Sequence, residues 1–164
     1  AFTGLRLGDA GTLTWGNVDL AAGQITITPK KTKRRKVEVR IPLHPQLQEF
    51  LERHPISDDP KTPVFPSLAH KSIGGRDGLS DGFVKLMEKA NVSRGECRTM
   101  ARKNHARGFH ALRHTFVSML ADAGVPDELR MAMSGHLDDD SHALYSHHSA
   151  ASLKGAIAKL PSLS

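Results

Sequence analysis

Between His110 and Ala123 the apolar residues Leu112, Phe116, Met119 and Ala123 recur at i, i+4, i+7 and i+11. At about 100° per residue that spacing lines one side of a helix, so this stretch has to lie against a core. Gly124 supplies the stop, since a glycine just past the last turn takes up the left-handed conformation that closes a helix. Pro126 with Asp127 and Glu128 opens a second helix, its acids in the first turn where the helix dipole favours them, and Gly135 ends it. A short helix carrying Tyr145 follows, then a last one over about 150–159 with Leu153, Ile157 and Leu160.

The N-terminal half has a different period. A short helix is expected over 6–13 after a turn at Gly4, weakened by Gly11. Ile25 and Ile27 alternate with polar residues, and Val37, Val39 and Ile41 do the same, which predicts a hairpin with a Lys/Arg-rich tip. Pro42 ends the second strand. Pro45 opens a helix over 45–53 with Leu47, Phe50 and Leu51 on one side. Residues 54–78 read as loop with a short strand at Val64-Phe65, and a helix over about 80–90 presents Phe83, Leu86 and Met87. Residues 91–108 carry no clear period. The expected class is α+β, mostly helical, with one small antiparallel sheet or hairpin near the N-terminal side, in a single domain over residues 1–164.

Lys and Arg number 23 against 17 Asp and Glu, a net charge of +6. The excess is clustered: residues 30–40 hold seven basic side chains against Glu38, and residues 94–113 hold six against Glu96. Two such clusters are the electrostatic footprint of a polyanion partner. Lys30, Lys33, Arg34 and Arg35 in the first cluster, with Arg102, Lys103 and Arg107 in the second, are the candidate nucleic-acid contacts. No apolar run approaches the roughly 18 residues of a membrane span, so no membrane association is expected. The single cysteine, Cys97, forms no internal disulfide and fits a reducing, cytoplasmic compartment. The chain opens within what reads as a structured segment, and we expect it to be the C-terminal part of a longer protein.

Several residues carry chemistry. The lone tyrosine, Tyr145, is a candidate nucleophile, whose phenol of pKa near 10 needs a base or strong local positive charge. His110 and His136 are candidates to accept or relay its proton. Arg6 and Arg113 offer two planar forks of donors that match phosphate oxygens, binding most tightly as the phosphorus becomes more negative. His110, Arg113 and His114, three and four apart on a helix, are expected on one face, away from the Leu112/Phe116/Met119 stripe. A leaving sugar oxygen needs an acid, for which Lys31 and Lys33 on the basic hairpin are candidates. Each residue alone has an ordinary structural explanation: a solvated polar face, an Arg6–Asp9 ion pair, a part-buried aromatic.

Order and spacing together say more. Thr3-Gly4-Leu5-Arg6 with Asp9, then H-x-x-R-H from His110 to His114, then Gly135-His136, then Tyr145 with His147 resemble the characteristic boxes of the tyrosine recombinase, or phage integrase, family. The resemblance runs from Thr3 to about Leu160 and implies the catalytic-domain fold of that family, with its N-terminal core-binding domain outside this chain. It implies catalytic roles for Arg6, His110, Arg113, His136 and Tyr145, a supporting acid at Asp9, and a hairpin lysine at Lys31 in a Lys-Thr pair, with Lys33 second. It also implies the function: a site-specific DNA recombinase that forms a transient 3′-phosphotyrosine, with neither cofactor nor metal, acting on double-stranded DNA as a tetramer of the full-length protein. Gly11, where an apolar residue is usual, and the run Asp138-Asp139-Asp140 depart from the pattern. The competing expectation is a DNA-binding module on the same fold that no longer cleaves. A zinc site at His136, His142, His147 and His148 ranks well below both, since the spacing matches no zinc signature.

Overall fold

Strand β3 (Val39–Pro42) is the seam along which the molecule is assembled. It pairs antiparallel with β2 (Gln24–Ile27), Ile41 opposite Ile25 and Val39 opposite Ile27, and β1 (Val18–Asp19) adds a third strand on the far side of β2. The computed structural model describes residues 2–30, 38–99, 102–105, 108–135 and 149–162. The alternation predicted for β2 and β3 holds: Ile25, Ile27, Val39 and Ile41 are buried, while Gln24, Thr26 and Arg40 are not. Strand β1 was not expected, because two residues are too few to show a period. The sheet packs with Leu13, Trp15 and Leu51 into one core cluster.

The N-terminal helix is shorter than expected, α1 spanning Leu7–Gly11. Gly11 has a packing reason: a Cβ there would stand 2.8 Å from Cδ1 of Leu79, which fills the space an apolar side chain would take. Helix α2 (Pro45–Glu52) starts at its proline and buries Leu51. Phe50, expected on the same side, is instead 47% exposed and leans on the His54 ring at 4.3 Å. It sits about 100° from Leu51 around the helix, at the edge of the stripe. A four-residue helix, α3 (Pro66–Ala69), interrupts the expected loop. Helix α4 (Leu79–Lys89) buries Leu79 and Met87, whereas Leu86 lies on the wall of an open apolar cleft of about 340 Å³ with Leu7, Leu68 and Phe109.

The stretch without a period, 91–108, contains a second sheet of two strands, β4 (Glu96–Thr99) and β5 (Arg102–His105). Helix α5 (Phe109–Asp122) then runs through the second core cluster, burying Phe116 and Leu120. Helix α6 (Asp127–Ser134) and helix α7 (Ala150–Ile157) close on it and pack on β3, with Met133, Leu153 and Ile157 fully or nearly buried. Leu153, Ile157 and Leu160 at the C-terminal end lie in the chain's own core.

A buried histidine ties the ends together. His44 Nδ1 accepts the Gln46 N–H at 3.3 Å, capping α2, so the proton resides on Nε2, which donates to the Leu160 carbonyl at 3.2 Å. Phe2 stacks flat on the imidazole, ring centroids 4.1 Å apart.

Candidate active site

The site is built from a turn clamped onto a helix. Thr3 Oγ1 accepts the Leu5 N–H at 3.4 Å, and Gly4 adopts the left-handed conformation with φ +57°. Its Cα lies against the Phe116 ring so closely that a Cβ would stand 2.5 Å from Cδ1. Only glycine satisfies both demands. The Gly4 carbonyl accepts a hydrogen bond from Arg113 Nη1 at 2.7 Å, so the turn and α5 are joined by polar as well as apolar contact. The chain then extends through Arg6, whose carbonyl accepts the Ala10 N–H in the first turn of α1.

Arg113 is only 3% exposed. Its pKa is drawn down to about 10, first by burial and then by the positive charge of Arg6, while Asp9 opposes the shift. It therefore stays a cation at neutral pH. The sequence placed Arg113 on a polar face with His110 and His114; the structure corrects this. Arg113 precedes Leu120 by seven residues, about 20° away around the helix, and so falls within the buried stripe. His110 and His114 are both exposed, their rings edge to face at 4.8 Å.

Arg6 Nη1 and Arg113 Nε and Nη2 are buried and have no hydrogen-bond partner among the described residues. Each such donor costs about 1–3 kcal/mol unless an acceptor is supplied. Two guanidiniums near enough to repel each other, with several unmatched N–H groups and balanced only in part by Asp9, have the chemistry that suits an anion with more than one oxygen. Asp9 is 9% exposed, and its Oδ1 also accepts the Lys30 N–H at 3.1 Å. One carboxylate thus eases the charge on Arg113 and holds the point where the chain leaves β2 for the basic run.

Gly135 ends α6 with φ +64°, and a Cβ there would stand 3.0 Å from Val39 Cγ2 and 3.8 Å from Pro29 Cγ. The segment leading to His136 therefore departs from beside the segment leading to Lys31. Of the residues singled out from sequence, Arg6, His110 and Arg113 are placed on or beside α1 and α5, and Lys30 beside Asp9. Arg102 and Lys103 belong to β5. Lys31, Lys33, Arg34, Arg35, Arg107, His136, His142, Tyr145, His147 and His148 lie outside the described residues. What sequence reasoning missed is the Gly4 carbonyl as the acceptor for Arg113; the signal was a Thr-Gly turn directly before Arg6. Among the described residues no three His, Cys, Asp or Glu gather as metal ligands, and no helix is long and apolar enough to cross a membrane.

The family model described as "Phage integrase family" matches residues 1–152. The chain is 30% identical over 162 residues to tyrosine recombinase XerD of Neisseria meningitidis serogroup B, covering 94% of this chain and 50% of that protein. It is 28% identical over 144 residues to tyrosine recombinase XerC of Pseudomonas fluorescens, covering 88% and 44%. The chain thus spans about half the length of these relatives. In fold it is similar to the integrase from mycobacterium phage Brujita, with TM-score 0.65 and 21% identity over 98% of this chain and 48% of that one.

Proposed function

The chain belongs to the phage integrase family, and from that premise we propose that it is the catalytic part of a site-specific DNA recombinase in which Tyr145 is the nucleophile. What carries the proposal is buried Arg113 with half-buried Arg6 beside it, whose buried N–H groups lack partners among the described residues. A scissile phosphodiester seated there gives two non-bridging oxygens to the two guanidiniums. The Tyr145 oxygen attacks phosphorus, the bond to the 5′ oxygen breaks, and a 3′-phosphotyrosine and a free 5′-hydroxyl result. Both arginines bind the more negative pentacoordinate state better than the ground state, which is the requirement for catalysis by charge stabilisation.

His110 and His136 take or relay the phenolic proton, and Lys31, with Lys33 as the alternative, protonates the departing 5′ oxygen. The Asp9–Lys30 hydrogen bond supports the lysine role, since it anchors the chain one residue before Lys31. The phosphotyrosine bond conserves the energy for joining to another strand, so the exchange needs neither ATP nor metal. Lys30, Lys33, Arg34, Arg35, Arg102, Lys103 and Arg107 contact the duplex backbone, where such contacts set register. In the full-length protein we expect a tetramer on double-stranded DNA.

The experiment is a nicked suicide duplex bearing the cognate site, incubated with the full-length protein and its Tyr145→Phe variant and resolved on a denaturing gel. A covalent band from the wild type alone, with DNA affinity equal in both, is the expected result. A band from the variant moves the nucleophile to another residue; no band from either, with DNA still bound, makes this a non-cleaving DNA-binding module.

A further inference from the structure

The two sides of α1 carry different residues. Arg6, which precedes the helix, and Asp9 lie three apart on one side, and Gly8 and Gly11, also three apart, lie on the other. At about 100° per residue the centres of the two pairs are about 160° apart around the axis. The glycine side is occupied from outside. A Cβ on Gly8 would stand 2.9 Å from Ile73 Cδ1, and one on Gly11 would stand 2.8 Å from Leu79 Cδ1. Both neighbours belong to the turn that leads into α4. That turn is tied to its helix, because the Leu79 N–H donates to the Ser72 carbonyl at 2.8 Å and the Ser80 N–H to the Ile73 carbonyl at 3.0 Å.

Helix α1 does not fix its own direction. Five residues are far fewer than the roughly 12–15 that hold a lone helix together in water, and two glycines weaken it further. Its orientation is therefore set by what it touches. Leu79, 6% exposed, fills the notch at Gly11, and Ile73, although 56% exposed, rests on Gly8. These contacts stand behind the side that carries Arg6 and Asp9, the two charges that bear on Arg113. Any shift of α1 on this support is a shift of Arg6 relative to Arg113.

Resting on the reading of Arg6 and Arg113 as a phosphate site, we propose that Leu79 is a positioning residue for that site, with Ile73 as its second support. From outside the site, through the Gly11 notch, Leu79 holds α1 where both guanidiniums engage one anion.

The test uses the full-length protein, with Leu79→Ala, Leu79→Ala/Gly11→Leu, Ile73→Ala and the control Leu51→Ala, each first shown by its Tm to be folded. Inorganic phosphate is titrated calorimetrically at constant ionic strength. Leu79→Ala should weaken phosphate about tenfold, close to the loss of one hydrogen bond to a charged group. Adding Gly11→Leu should return most of that loss, because it refills the notch from the helix side. Leu51→Ala, in the core beneath the sheet, should lower the Tm and leave the Kd for phosphate unchanged. Ile73→Ala should hold the Tm and shift the Kd in the same direction as Leu79→Ala, by less. In an Arg6→Ala background Leu79→Ala should have no further effect, since it acts by placing Arg6. An unchanged Kd in Leu79→Ala, an equal loss in Leu51→Ala, or the same tenfold loss without Arg6 overturns the positioning role. Should Leu79→Ala not fold, an unchanged Kd in Ile73→Ala overturns it. Equal phosphate binding by wild type and Arg113→Ala refutes the phosphate site itself.

Discussion

Gly4→Ala should damage this protein far more than its one added methyl group suggests. The residue sits at φ +57°, where an L side chain costs about 1–2 kcal/mol. The new Cβ would stand 2.5 Å from Phe116 Cδ1, and Phe116 is wholly buried and cannot swing away. Overpacking of that kind costs about 1–3 kcal/mol, so the total is about 2–5 kcal/mol. At about 2–4 °C per kcal/mol for a chain of this size, the Tm should fall by about 4–20 °C. The relief test is Gly4→Ala/Phe116→Leu: a smaller side chain removes the overlap but not the backbone strain, so the pair should be less destabilised than the two single variants added together. Urea denaturation of the two singles and the double gives the cycle directly. A Gly4→Ala protein within about 0.5 kcal/mol of wild type, or strict additivity in the double, would refute the clamp between the turn and α5. Because the Gly4 carbonyl holds Arg113 at 2.7 Å, the same substitution should also lower DNA cleavage at temperatures where the variant is fully folded.

Other consequences are open to simpler tests. Inorganic sulfate or phosphate should raise the Tm by filling the Arg6–Arg113 pocket: at ten times its Kd an anion adds about 1.4 kcal/mol, about 3–6 °C. Arg113→Ala should lose that rise together with cleavage, and an equal rise in the variant would put the anion elsewhere. His44→Ala removes an N-cap worth about 1 kcal/mol and a hydrogen bond to Leu160 worth about 1 kcal/mol. Denaturation should show a loss of about 2 kcal/mol from those two terms, and a negligible change would mean that the imidazole does not hold the C-terminal segment.

Much of the fold was legible because its periods are long or its punctuation firm. The alternation of Ile25 and Ile27 with Val39 and Ile41 gave the sheet, and the Phe116 stripe closed by Gly124 gave α5. The hairpin β4–β5 was not legible for a physical reason: its strands hold no apolar residues beyond Cys97, so there is no hydrophobic alternation to read. Helix α3, four residues long, is shorter than a recognisable period. The site was legible as a set of motifs but not as geometry. Arg113 was assigned to a wet face through its spacing with His110 and His114, yet its angular position beside Leu120 and Phe116 puts it inside, where its charge has most effect. Phe50 erred in the opposite direction, an apolar side chain at the margin of its stripe.

The ring of His44 has a mechanical meaning. Phe2 lies on its face and the Leu160 carbonyl on its edge, so two residues 158 positions apart in sequence are joined through a single imidazole. Tension applied at the two ends of the fold would load that ring together with the contacts that Phe2 and Leu160 make with the second core cluster. Next in line from Phe2 is Gly4, two residues inward, whose carbonyl holds Arg113. The pull that frees the ends is therefore transmitted directly to the arginine pair, and the integrity of the anion pocket reports on whether the chain is still closed.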